Sequence, residues 1–284
     1  MNNMFKLRYS QNFLQSNKTI NKIISLSNIN REDTVYEIGA GKGIITKQLS
    51  EKSNNVIAIE LDNNLYVHLT MRFENTDNVK IIKADFLDLH LPRRYPYKVF
   101  SNIPFNITTA IIKKLTNIND CPTDSYLIVQ KEPALKYLGK YGTTREALLL
   151  KPFFNLEIVY EFQRFDFKPV PNVEAVLIHI KLNNQPLIER KHFNKYQRFI
   201  MHIFSKKNYP VKEVLKDFLT HKQIKRLGQN HKFNINGSIY SVEMNQWIEI
   251  FNFFINNASN NKSFIYVNNS RKLNKIYKRN KRNH

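Results

Sequence analysis

Cysteine occurs once in the 284 residues, at Cys121. A single thiol excludes a disulfide framework and any cysteine-built zinc site. No apolar run approaches the roughly 20 residues needed to span a bilayer, and Met1 to Gln15 holds no apolar stretch of the signal-peptide kind. Membrane and secreted readings therefore fall away, and a cytoplasmic protein is expected. Acidic side chains are also few, 23 against 44 Lys and Arg, for a net charge of +21. A surface that basic calls for a polyanion, with nucleic acid the first candidate. The histidines are scattered singly, without metal-ligand spacing, so no metal is expected. Glycine is scarce as well, at 7 residues. What is present is globular in character: 42% hydrophobic and 24% charged residues, on a chain long enough for a substantial core.

Strand and helix patterns alternate along the first half. Ile20, Ile23 and Ile24 give residues 17–26 an amphipathic helical period. Residues 34–38, 56–59, 79–82, 98–100 and 126–129 read as short buried strands, with helical stretches at 44–49, 61–73 and 109–115. Such alternation predicts an α/β fold with a parallel sheet covered on both faces. Residues 156–165 and 173–182 then read as two long strands with no crossover helix between them, which predicts an antiparallel terminal hairpin. Beyond the Pro186-containing stretch the strand signals stop and helical ones remain, at 192–205, 211–219 and 242–256. Trp247, Phe251, Phe254 and Ile255 share one face of the last. Three segments follow: 1–183, an α/β catalytic domain that binds a cofactor; 184–258, a small all-α domain expected to bind RNA; and 259–284, a basic tail. Residues 262–284 contain eight Lys or Arg and no acid, a composition that predicts disorder.

Three of the few glycines fall in Glu37-Ile38-Gly39-Ala40-Gly41-Lys42-Gly43, between a strand and a helix. Glycines there admit positive φ and close approach of a ligand to bare main chain, so the turn reads as a nucleotide-cofactor loop. Its G-x-G-x-G spacing differs from the dinucleotide G-x-G-x-x-G fingerprint, which counts against an NAD dehydrogenase. Glu60 closes the second strand, where a carboxylate can accept hydrogen bonds from ribose hydroxyls. Asp85 closes the third, where it can accept from an adenine amino group, with Phe86 beside the ring.

Asn102-Ile103-Pro104-Phe105 follows the fourth strand directly and therefore faces the same crevice. Pro104 stiffens the corner and removes a donor. The Asn102 amide oxygen and the Ile103 carbonyl could grip both N–H bonds of an exocyclic adenine amine, whose lone pair is otherwise delocalised into the ring. Phe105 could stack on the base. Catalysis would come from positioning and electrostatics. An adenine within structured RNA has to be extruded to reach such a site, and Phe167, in the hairpin loop, is a candidate second face.

Together these residues resemble the Erm-type ribosomal RNA adenine N6-methyltransferases, within the wider adenine N6-methyltransferase and dimethyltransferase superfamily. The likeness covers about residues 9 to 255. Gln11-Asn12-Phe13-Leu14 looks like that family's N-terminal cofactor motif, residues 37–43 like its glycine motif, Asn102-Ile103-Pro104-Phe105 like its catalytic turn, and residues 167–173 like its Phe-x-Pro-x-Pro-x-Val motif. Phe105 stands where Tyr is usual. The resemblance implies a seven-stranded Rossmann-like sheet and S-adenosyl-L-methionine as cofactor, contacted by Asn12, Leu14, Gly39, Gly41, Glu60, Asp85 and Asn102. It implies as partner 23S rRNA, before full ribosome assembly, with resistance to macrolide, lincosamide and streptogramin B antibiotics as the outcome, and it implies a monomer. The nearest alternative is a small-subunit (16S) rRNA adenine dimethyltransferase; a non-catalytic RNA-binding factor on the same scaffold is another. The excess charge predicts phosphate contacts from Lys22, Lys113, Lys114, Lys136, Lys206, Lys207, Lys222, Lys225 and Arg226, and hence salt-sensitive RNA binding.

Overall fold

Short aliphatic and β-branched runs set the sheet, and their burial decides its order. The structure, a computed structural model, describes residues 13–92 and 95–257. After a two-residue strand β1 (Phe13–Leu14) and helix α1 (Asn17–Ser25), the chain alternates β2 (Thr34–Ile38), α2 (Ile44–Ser50), β3 (Asn55–Glu60), α3 (Asn63–Arg72), β4 (Val79–Lys83), β5 (Lys98–Asn102), α4 (Thr108–Leu115), β6 (Asp124–Gln130) and α5 (Lys131–Tyr137). Ser16 caps α1 by accepting from the Thr19 amide, and Asp62 caps α3 by accepting from Asn64 and Leu65. Further on come α6 (Arg145–Leu150), β7 (Phe154–Glu161), β8 (Phe167–Lys168) and β9 (Ala175–Leu182).

Seven strands form one sheet in the order β4-β3-β2-β5-β6-β9-β7. The first five pair parallel; β9 runs antiparallel between β6 and β7. The central strands are buried on both faces: Leu127, Ile128 and Val129 of β6 and Val99 and Phe100 of β5 are fully covered, as a parallel sheet sandwiched by helices requires. The expected α/β sheet with an antiparallel terminal hairpin is therefore what the chain builds. Its hairpin connection holds a feature that no local sequence pattern announces: β8 leaves the main sheet and pairs antiparallel with β1, Phe13 opposite Lys168 and Leu14 opposite Phe167.

The chain divides into two compact units. Among the described residues, one comprises those up to Leu138 together with Phe154–Asn184; the other comprises Gly139–Phe153 together with those from Gln185 to Asn257. A single linear boundary at 183/184 does not describe this division. Residues 139–153, assigned by sequence to the catalytic segment, belong with the helical unit because α6 packs there: Phe153 meets Phe193 and Tyr196 edge to face, and Gln197 donates to the Leu149 carbonyl. The helical unit also holds α7 (Phe193–Ser205), α8 (Val211–Leu215), α9 (His221–Asn230) and α10 (Met244–Asn257). Its core is aromatic. Trp247, Phe251 and Phe254 of α10 are buried and meet Phe199 of α7 at ring separations of 6.2, 5.5 and 6.0 Å. Among the described residues no helix is long and apolar enough to cross a membrane. The basic tail lies outside the described residues.

Candidate active site

The glycine turn leaves β2 as expected. Gly39, Gly41 and Gly43 all have positive φ, of 70°, 59° and 74°. Their uses differ. A Cβ on Gly41 would come within 2.8 Å of the Phe13 ring, so this glycine leaves room for β1 to lie across the turn. A Cβ on Gly43 would meet Phe73 at 2.7 Å and Leu69 at 2.8 Å; its bareness lets α3 pack against the start of α2. The turn is fixed to the sheet by Gly39 and Ala40 amides donating to the Ile59 carbonyl, at 2.8 and 3.2 Å.

A pocket opens beside this turn. Its lining includes Leu14, Gly39, Lys42 and Asn102, together with Glu37. Of the residues expected to contact a cofactor, Leu14, Gly39 and Asn102 are thus brought together. Gly41 lies in the same turn. Asn12 lies outside the described residues. Ile103 is buried, while Pro104 and Phe105 are half-buried, Phe105 packing on the core beneath the sheet. Pro104 has φ −60° and ψ 124° and its Cδ stands 3.9 Å from the point where a Gly39 Cβ would be, so the Asn-Ile-Pro-Phe corner and the glycine turn face each other closely.

Glu60 and Asp85 do not line this pocket. The Glu60 carboxylate is buried and accepts three main-chain bonds, from Gly41 at 2.9 Å on Oε2 and from Leu61 and Asp62 at 2.8 and 2.9 Å on Oε1. A carboxylate offers about four acceptor positions, so Glu60 first holds the glycine turn in place and has one left for a ligand. Asp85 Oδ1 accepts from the Leu87 amide at 2.8 Å, closing a tight turn. Phe86 is buried and covered by the Lys114 ammonium, so its face is not open to an adenine ring.

Phe167 is a correction. As a candidate face for a flipped base it would have to be exposed; it is 1% exposed, 5.2 Å from the Phe162 ring, and part of the core under β1 and β8. Pairing of β8 with β1 turns its side chain inward. Lys114 is a second: its ammonium is held by three main-chain carbonyls and is not offered to phosphate.

Two groups were missed. Glu37 is buried at the base of the pocket and accepts from the Thr46 hydroxyl at 2.5 Å. Burial pushes its carboxyl up to about 8; the Thr46 bond opposes this and the charge of Glu60 adds to it. An acid inside the otherwise strand-forming Thr34-Val35-Tyr36-Glu37-Ile38 was the available signal. Ser101, fully buried, accepts from the Ile38 amide at 3.1 Å and donates to the Ile38 carbonyl, tying the ends of β2 and β5 together.

A family model described as ribosomal RNA adenine dimethylase matches residues 2–256. The chain belongs to this family. Among curated relatives, an rRNA adenine N-6-methyltransferase from Lysinibacillus sphaericus is 34% identical over 253 residues, covering 88% of this chain and 97% of the relative. A ribosomal RNA small subunit methyltransferase A from Ureaplasma parvum is 31% identical over 260 residues, covering 87% and 92%. The crystal structure of the 23S rRNA methyltransferase ErmE superposes with a TM-score of 0.74 at 25% identity, covering 86% of this chain and all of that one. The protein is an S-adenosylmethionine-dependent methyltransferase. Its pocket suits that cofactor: Gly39, where a Cβ would meet only Pro104 Cδ at 3.9 Å, leaves room for the ligand, and the buried Glu37 carboxyl, which among the described residues has no cationic side chain bound to it, is available to answer a positive charge.

Proposed function

We propose that the chain transfers methyl groups to N6 of one adenine in 23S rRNA, in the cytoplasm, acting as a monomer on rRNA before ribosome assembly is complete, and that this confers macrolide-lincosamide-streptogramin B resistance. The observation that carries the chemistry is the shared pocket of Asn102 and Glu37 at the carboxyl ends of β5 and β2. The cofactor supplies an electrophilic methyl on a sulfonium. Asn102 Oδ1 and the Ile103 carbonyl accept the two N6–H bonds and turn the nitrogen lone pair toward that methyl. Pro104 keeps the corner rigid, so the geometry is set before the base arrives. Phe105 offers the exposed part of its ring to the base. The N6 proton becomes acidic once the nitrogen carries the methyl and leaves to water, so no side-chain base is needed.

In the cofactor pocket Leu14 and Gly39 border the ligand and Glu37 faces its positive charge. Asp85 receives the adenine amino group with its remaining oxygen, and Glu60 gives its last acceptor position to ribose. For the RNA, the support lies in uncompensated charge. In the helical unit Lys206 is paired with Asp217 and Lys216 with Glu213. Lys222, Lys225 and Arg226 lie exposed on α9, a helix without an acidic residue, and among the described residues none of the three has an ion pair.

Favouring 23S rRNA are the Gly41-Lys42-Gly43 and Asn102-Ile103-Pro104 motifs and the likeness to ErmE. The second reading, methylation of small-subunit rRNA, is favoured by the similarity to the Ureaplasma enzyme. Naked 23S rRNA and pre-30S particles, each incubated with enzyme and methyl-labelled S-adenosylmethionine, separate them. Label at a single adenine of 23S rRNA is expected; label confined to 16S rRNA refutes the assignment. Asn102→Ala should abolish transfer while leaving RNA affinity within about twofold. Unchanged turnover would remove the proposed mechanism.

A further inference from the structure

The turn that follows β4 has an anchor outside the pocket. Residues 85–89 form one tight turn, with the Asp88 and Leu89 amides donating to the Asp85 carbonyl at 3.0 and 3.2 Å. The turn leaves the carbonyls of Phe86, Leu87 and Leu89 directed at one point. Lys114, on α4, places its ammonium there. Its Nζ donates to the Phe86 carbonyl at 2.7 Å, to Leu87 at 2.9 Å and to Leu89. It also lies 5.0 Å from the centroid of the buried Phe86 ring. All three N–H donors are therefore used, and the charge is answered by carbonyl dipoles, a ring face and the nearby carboxylates of Asp120, Asp88 and Asp85.

No other side chain reproduces this arrangement. The Phe86 carbonyl also accepts from the Leu89 amide at 3.3 Å, but among the described residues the Leu87 and Leu89 carbonyls have no donor besides Lys114, and each would otherwise be left unpaired in a half-buried position, at a cost comparable to a lost hydrogen bond. An ammonium presents three donors in a compact fan; a guanidinium presents a planar fork that cannot converge on three oxygens around one point. The placement of the two partners is also informative. α4 is the helix that begins just after Phe105, at the end of the Asn-Ile-Pro-Phe corner. The turn it grips carries Asp85.

We infer that Lys114 is a positioning residue for cofactor recognition: by pinning the 85–89 turn to the helix behind the catalytic corner, it holds Asp85 where the adenine of S-adenosylmethionine is read. This rests on the reading of Asp85 given above. It assigns Lys114 to the cofactor side of the reaction and removes it from the RNA-binding surface.

The test compares Lys114→Met, which keeps the aliphatic stem and removes the charge, with Lys114→Arg and Asp85→Ala in the full chain. Calorimetry gives the dissociation constants for S-adenosylmethionine and for 5′-methylthioadenosine, which lacks the amino-acid half. Steady-state assays give KM for each substrate and kcat. For Lys114→Met, both dissociation constants should rise by the same factor, about tenfold or more, while KM for RNA and kcat at saturating cofactor stay within about threefold. Lys114→Arg should recover only part of the loss. A general loss of structure would instead lower kcat and raise the RNA KM together, which would overturn the inference. So would a rise confined to the RNA KM, the signature of a phosphate contact. If Lys114→Met unfolds, Phe86→Leu, which removes only the ring contact, should still weaken both adenosine ligands by a common smaller factor; no change there counts against the inference. Should Asp85→Ala leave cofactor affinity unchanged, the reading of Asp85 fails. If it weakens binding and Lys114→Met does not, only the role of Lys114 fails.

Discussion

Replacing Glu37 by Gln should alter how cofactor affinity depends on pH. Glu37 is buried at the pocket, with its carboxyl pushed up to about 8 by desolvation. At pH 6 only about 1% of the molecules carry it ionised, and at pH 9 most do. A cationic ligand favours the ionised form, so binding must remove a proton at low pH. The affinity of the wild type should rise with pH by up to about tenfold per unit until it levels near pH 8, a ceiling of about 50-fold between pH 6 and 8. Glu37→Gln preserves the shape and the acceptor for Thr46 but cannot ionise. The ratio of the variant's dissociation constant to that of the wild type should therefore be smallest at pH 6 and climb toward its plateau by pH 9. The cofactor's own ammonium titrates in both proteins and cancels in this ratio. Stability follows the same linkage. A carboxyl whose folded value lies above its unfolded 4.5 stabilises fully below about 4.5, and the benefit is lost as pH rises through about 8. At about 1.4 kcal/mol per unit the gap sets a ceiling of about 5 kcal/mol. Glu37→Gln should match the wild type near pH 4.5 and exceed it in thermal midpoint at pH 9. Calorimetry at four pH values checks the first effect and thermal melts the second; an affinity ratio flat from pH 6 to 9 refutes the argument.

Gly41→Ala adds a Cβ 2.8 Å from the Phe13 ring at a φ of 59° that L residues avoid, and should weaken cofactor binding at least tenfold by calorimetry. Adding Phe13→Ala should restore only part of the loss, since the backbone strain of about 1 kcal/mol persists. Changing Lys222, Lys225 and Arg226 together to Gln should weaken RNA binding and flatten its salt dependence, by about 0.7 in log–log slope for each phosphate left without its cation. Filter binding between about 50 and 200 mM salt reads this directly; an unchanged slope removes α9 from the RNA surface.

The sheet was legible because buried strands announce themselves. Val56, Ala58 and Ile59, and Leu127, Ile128 and Val129, form short apolar runs bounded by polar residues, and each is a fully covered strand. The amphipathic face of Trp247, Phe251 and Phe254 was equally plain and is the core of the helical unit. α9 escaped notice. In His221-Lys222-Gln223-Ile224-Lys225-Arg226-Leu227-Gly228-Gln229-Asn230 only Ile224 and Leu227 are large and apolar, too few to show a period. It is Thr220 that starts the helix, through a capping box with Gln223. The pocket was legible in part. Glycine spacing and the Asn102 corner located it, because such residues are rare outside special backbone. Phe167 was misplaced because its direction depends on β8 pairing with β1, which joins opposite ends of the catalytic unit's sequence and is encoded by no local pattern. Glu60 was placed at the right strand end, yet its main-chain partners were not foreseen, since hydrogen bonding to loop amides leaves no periodic trace.

The pocket exists because two neighbouring strands part. Main-chain pairing of β2 with β5 covers only Val35 with Lys98 and Tyr36 with Val99, whereas β2 with β3 continues to Ile38 and β5 with β6 continues to Asn102. Beyond Tyr36 and Val99 the two chains diverge, and the crevice opens at this topological switch point. An open split of this kind would be poorly fixed, because the ladder that sets strand separation has ended. Side chains take over that task. The Ser101 hydroxyl answers both polar groups of Ile38, so the split opens to one width; without it those two buried groups would stand unpaired, at about 1–3 kcal/mol each. Glu60 fixes the glycine turn on one rim, through the Gly41 amide, and Lys114 fixes the turn after β4. The glycine turn and the turn after β4 are thus each tied to the scaffold by a polar side chain acting on main-chain groups. The proposed mechanism, in which the corner at Asn102 works by geometry in place of a strong base, demands that the opposing rims hold still, and the bonds that keep them still lie just outside the pocket.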